Sequence, residues 1–138
     1  MKALENLEIY QIGMQLSDIV WDEVFKWNYF EKDTIGKQWV RAIDSVSANI
    51  SEGYGRFSYL EMRYFTRIAR GSLKENLTWL TKAYNRKLIS KDVFDMLFTN
   101  SNKLSVKINN FLTSLEKQIN ESKTTSNHLN HTTITNNS

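Results

Sequence analysis

The chain has 138 residues, 41% of them apolar and 12% aromatic, and a net charge of +3. That is one domain's worth of sequence, with enough apolar side chains for a single core. It contains no cysteine, which excludes disulfides, thiol nucleophiles and thiolate metal sites together, and no proline, which suits long helices.

No apolar run approaches the roughly 18 residues of a membrane span. The opening residues also lack the apolar core of a signal peptide. A cytoplasmic protein with no membrane partner is expected.

Helical spacing first appears between Leu7 and Trp27, where Ile9, Ile12, Leu16, Ile19, Val20 and Val24 share one face. Asn6 is available as its N-cap and Glu8 suits its first turn. Asn28 to Asp33 reads as a polar break. A second helix is predicted from about Thr34 to Glu52, with Asp33 or Thr34 as its cap. It buries Ile35, Trp39, Ala42, Ile43, Val46 and Ile50.

Gly53 and Gly55 end that helix, Gly53 standing where a C-terminal glycine adopts positive φ at no steric cost. Ser58 and Glu61 then form an S-x-x-E capping box that opens a third helix, continuing to about Arg86. A fourth helix starts at Ser90 with Asp92 in its first turn. Its seam of Leu97, Ser101, Leu104, Ile108, Phe111 and Leu115 alternates steps of four and three, and it is expected to fade near Gln118.

Residues 120–138 are dominated by Asn, Ser and Thr and read as a disordered tail, too poor in apolar surface to offset ordering. Short connections between four long amphipathic segments predict an all-α, antiparallel up-down-up-down four-helix bundle over residues 1–119.

Charge is unevenly spread. Residues 1–35 carry a net −4, residues 36–86 a net +5 and residues 87–138 a net +2. In the third helix Arg63, Arg67, Arg70 and Lys74 fall on one stripe by 4-3-4 spacing. Like charges at such spacing repel, and folding does not require them there. The stripe is therefore either a solvated face or a surface for an anionic partner. Arginine's planar fork matches phosphate oxygens, so RNA or DNA backbone is the favoured partner.

Enzyme constellations fail. The two histidines, His128 and His131, both lie in the Asn-rich tail, leaving the helical part no imidazole for acid–base or metal chemistry. Gly53-Tyr54-Gly55 follows a helix and lacks the third glycine and the lysine of a phosphate loop. No cofactor or metal is expected. Trp21, Trp27, Trp39 and Tyr10 either line the bundle's own core or form an apolar surplus for self-association.

One polar series sits within the apolar spacing of the second helix and its turn, comprising Gln38, Arg41, Ser45, Asn49, Glu52, Gly53, Gly55 and Arg56. With Ile68-Ala69-Arg70-Gly71-Ser72-Leu73-Lys74-Glu75 and the opening Leu7-Glu8-Ile9-Tyr10-Gln11, it resembles the small bundle proteins encoded in intervening sequences of bacterial 23S ribosomal RNA genes. That family's pattern has Q-x-x-R-A-x-x-S, N-I-A-E-G-x-G-R and I-A-x-G-S-L-x-E, matched here over about residues 5–118.

The resemblance implies a four-helix bundle that assembles as a homopentamer. It also implies a distant relationship to accessory proteins of diversity-generating retroelements, which bind a reverse transcriptase and nucleic acid. This chain departs from the pattern at Ser47, where a proline is common nearby, at Asn76, where an apolar residue is usual, and at Trp79, where glutamine is common. Asn76 leans inward and needs a partner.

The matching residues are read as a network between the second and third helices. Glu52 or Glu75 would hold Arg41, and Asn49 would satisfy backbone groups near the glycine turn. Gly71 and Ser72 would allow close helix approach. The function expected is a non-enzymatic, oligomeric bundle that binds RNA or DNA. The alternative is a protein-interaction scaffold or accessory subunit, with a partner such as a reverse transcriptase.

Overall fold

The computed structural model of the protein describes residues 2–136, with side chains through His128. Among them are four long helices and no strand. After a 3-10 turn at Leu4–Asn6, α1 runs Glu8–Phe25. A short helix, α2 (Tyr29–Glu31), passes through a π-helical turn at Lys32–Gly36 into α3 (Lys37–Tyr54). α4 spans Tyr59–Asn85 and α5 spans Lys91–Asn136. Among these helices, α3 packs on α1 and α4, and α5 packs on α4 and α1, so a single core lies between them.

Several helix ends differ from the sequence expectation, each for a local reason. Leu7, not Asn6, caps α1, and its side chain makes no capping hydrogen bond. Asn28 is no break. Its Oδ1 accepts from the Glu31 N–H at 2.9 Å while its amide donates to the Glu31 carboxylate at 3.1 Å, so helix starts there instead of at Thr34. Gly36 permits close packing within this continuous helical stretch, since a Cβ there would lie 2.7 Å from Val24 Cγ1.

Gly53 lies inside α3 and has no positive φ. Its missing Cβ brings α4 close, because a Cβ would lie 2.9 Å from that of Phe65. The residue that does take left-handed backbone is Lys87, at φ 62°. It closes α4 through Lys87 N–H to Tyr84 O and Leu88 N–H to Ala83 O, the paired bonds of a Schellman turn.

Ser58 caps α4 by accepting from the Glu61 N–H, and Ser90 caps α5 by accepting from the Val93 N–H. The predicted fading near Gln118 is corrected, since α5 continues to Asn136. Ile119 is buried, and residues 120–128 are all exposed. His131 lies beyond the described side chains.

Two tryptophans tie the core together. Trp27 stacks on Trp39 at 5.9 Å between ring centres and donates its indole N–H to the carbonyl of Leu88, joining α1's end to the α4–α5 turn. Trp39, on α3, donates to Asn76 Oδ1 at 2.8 Å, and Asn76 donates to Ser101 Oγ at 3.0 Å. Asn76 is 2% exposed and Ser101 1%. The inward asparagine thus has partners on two other helices, so a chain of hydrogen bonds crosses the core through α3, α4 and α5. Burying such groups is tolerable only when they are paired.

Replacing Asn76 with leucine strands the Trp39 indole N–H and is expected to cost about 1–3 kcal/mol. Denaturant melts of Trp39→Phe, Asn76→Leu and the double variant check this. The double variant should lose less than the sum of the singles, whereas strict additivity would deny the coupling.

Candidate nucleic-acid interface

The four cations of the stripe lie along the side of α4 that meets α5. Arg63 donates to both oxygens of Glu116, at 2.8 and 3.0 Å, and Arg67 donates to the same carboxylate at 3.2 Å. Arg70 reaches only the neutral Asn109 side chain, at 3.2 Å, and Lys74 forms no ion pair among the described residues. Among the described residues, four cations therefore face one carboxylate, leaving three positive charges unmatched.

The hydrogen bond from Arg63 holds the Glu116 carboxyl below its ordinary value, helped by the charges of Arg63, Arg67 and Lys123 and opposed by partial desolvation. A depressed carboxylate contributes stability above its unfolded value, and that contribution disappears as pH falls through the folded one. Exposure of Arg67 and Glu116 to water keeps the contribution small.

Beyond Glu116 the cations open onto a groove of about 520 Å³ between α4 and α5. Arg67, Arg70, Gly71 and Lys74 line one side, with Ser105 and Asn109 opposite. Gly71 is exposed, and a Cβ built there meets no atom of the described residues within 4 Å beyond its own helical turn. The expectation that it brings two helices of this chain together is therefore corrected. Glycine within a helix costs about 1 kcal/mol relative to alanine, so the position is unfavourable for folding and unexplained by it.

The remaining motif residues divide into separate groups. Ser45, Asn49 and Ser72 form one, in which Asn49 donates to the Ser45 carbonyl at 2.8 Å and hydroxyl at 2.9 Å, and Ser72 donates to Ser45 Oγ at 3.0 Å. Asn49 thus serves α3 one turn back, not the glycine turn. Glu52 pairs with Arg56 at 2.5 Å, and Glu61 lies 3.9 Å from the same guanidinium. Glu75 accepts from the Trp79 indole at 3.2 Å.

Arg41 forms no ion pair with Glu52 or Glu75 among the described residues. It lines an apolar groove of about 380 Å³ with Trp21, Phe25 and Val40. Gln38 is exposed, and Gly55 takes ordinary right-handed backbone at the end of α3.

Sequence reasoning did not find Glu116, Asn109 or Ser105. A signal was present, since Glu116 is the sole acidic residue between Leu97 and Asn120. Among the described residues no three His, Cys, Asp or Glu side chains gather to hold a metal, and no helix is long and apolar enough to cross a membrane.

Against known proteins, the model of the 23S rRNA-intervening sequence protein family matches residues 5–110. The chain belongs to that family. A solved structure of a protein with unknown function, from the S23 ribosomal protein family of Bacteroides thetaiotaomicron VPI-5482, superposes with a TM-score of 0.68. It is 19% identical, and the match covers 75% of this chain and 97% of that one, a likeness of fold. No curated protein matches the chain.

In this intervening-sequence protein the motif arginine and motif glutamate act apart. Arg41→Met and Glu75→Gln should change stability independently, with the double variant within about 0.5 kcal/mol of the sum in denaturant melts. A larger coupling would contradict the separation.

Proposed function

We propose that this protein is a non-enzymatic, antiparallel up-down-up-down bundle that binds the phosphate backbone of RNA or DNA along the α4/α5 groove. Three observations support the bundle direction. Gly13 lies opposite Ser47 and Ser17 donates to the carbonyl of Ile43, so α1 and α3 run in opposite senses. Trp39 meets Asn76 while Ser45 meets Ser72. Arg63 meets Glu116 while Asn76 meets Ser101.

The observation that carries the binding reading is the unmatched charge. Repulsion along α4 is only partly relieved by Glu116, and among the described residues two of the four cations have no anionic partner. Phosphate contacts of this kind are sequence-independent and strengthen as counterions are released. The groove carries cations without aromatic walls, which fits recognition of backbone more than of bases.

Self-association belongs to a different face. Trp21, Phe25, Tyr29 and Phe30 are 57%, 69%, 80% and 73% exposed around the end of α1 and α2. Apolar surface of this kind, away from the core, favours burial against further copies of the chain. Assembly into a pentamer rests on the family resemblance.

Fluorescence anisotropy of a labelled RNA hairpin tests the groove. Arg67→Glu/Arg70→Glu should weaken binding by about tenfold or more, and Glu116→Gln should strengthen it, by freeing two guanidinium groups. Equal affinity of the charge-reversed and parent proteins would favour the protein scaffold. Sedimentation equilibrium addresses assembly, with a mass several times the 16.2 kDa chain expected and a monomer contradicting it.

A further inference from the structure

Gly71 stands at a position that the fold does not explain. It lies deep within α4, fourteen residues before the helix ends at Asn85, where glycine weakens a helix by leaving its backbone free. Gly36 and Gly53 are also helical, but each has an atom within 3 Å of a Cβ built there. Their neighbours are parts of this chain. Beyond its own helical turn, no atom of the described residues lies within 4 Å of such a Cβ at Gly71, so the space its missing methyl leaves is open.

That space lies in the α4/α5 groove. Arg67 precedes Gly71 by one turn, Arg70 adjoins it, and Lys74 follows by three residues. Ser105 and Asn109 close the groove from α5 with neutral hydrogen-bonding groups. A residue at this point determines how near an incoming group comes to the helix axis. With alanine or a larger side chain, the visitor stands off and the flanking cations reach it at longer range.

We propose that Gly71 is the seat of a phosphodiester backbone, which crosses α4 there and is gripped by Arg67, Arg70 and Lys74. The proposal rests on the phosphate-binding reading of the same groove and adds its point of closest approach. A helix from a second copy would also profit from a glycine. It would, however, have to desolvate three flanking cations, one paired with Glu116 and two with no anionic partner among the described residues. Phosphate supplies the missing counter-charge, and arginine receives it bidentately.

The test uses the full chain and a fluorescein-labelled RNA hairpin, with Gly71→Ala and Gly71→Leu as variants. Both replacements are better helix formers than glycine, so both should fold. Gly71→Ala is expected to raise the melting temperature by about 3 °C. In the same preparation it should weaken RNA binding by about threefold, and Gly71→Leu by about tenfold, as charge-assisted contacts are lost. Stability and affinity thus move in opposite directions, which a merely structural glycine would not cause.

If the parent protein fails to bind the hairpin even at low salt, the phosphate-binding reading itself is overturned. If the parent binds and both variants bind equally well, the groove reading survives and the role of Gly71 is overturned. A change in sedimentation mass with unaltered affinity per chain would make Gly71 a contact between copies, and would likewise overturn the proposal.

Discussion

The hydrogen-bonded line from Trp39 through Asn76 to Ser101 fixes how α3, α4 and α5 sit along one another. Apolar contacts alone tolerate sliding, because one leucine serves nearly as well as the next. A buried indole N–H does not, since it must meet an acceptor or forfeit the free energy of its lost hydration. Asn76 supplies that acceptor and passes the constraint to Ser101 on α5. Trp27, stacked on Trp39 and bonded to the Leu88 carbonyl, extends it to the end of α1 and to the turn between α4 and α5.

The same register sets the electrostatics. With Asn76 opposite Ser101, the arginines nearer the start of α4 come opposite Glu116 and Asn109. A slip of one helical turn would remove the single carboxylate from between Arg63 and Arg67. The cationic groove is thus a consequence of core packing on the far side of α4. Its charge is graded, from the paired Arg63 to Lys74, which forms no ion pair among the described residues. Gly71 lies beside the unpaired end.

What the sequence made legible was whatever depends on near neighbours. The Ser58–Glu61 pattern marked the start of α4, and the heptad seam of α5 from Leu97 to Leu115 lies on its inward face, with Phe111 half-buried. The start at Asn28 was legible in the same way, through Glu31 three residues on, but the polar run to Asp33 looked like a break. Other features depend on what stands opposite. Gly36 and Gly53 act by close approach to Val24 and Phe65, which no local pattern reveals. Glu116 lies 53 residues from Arg63, so its pairing required the fold. The extension of α5 past Gln118 ran against composition, in a stretch where residues 120–128 bury nothing and Thr124 donates to the Asn120 carbonyl one turn back.

Among the described residues about three positive charges per chain stand unmatched along the groove, and the proposed backbone binding would use them. The slope of log affinity for an RNA hairpin against log salt concentration measures that number most directly. Release of counterions by three cations predicts a slope of roughly −2 to −3 per bound chain. A slope near zero, or no binding at low salt, would overturn the proposed phosphate contacts.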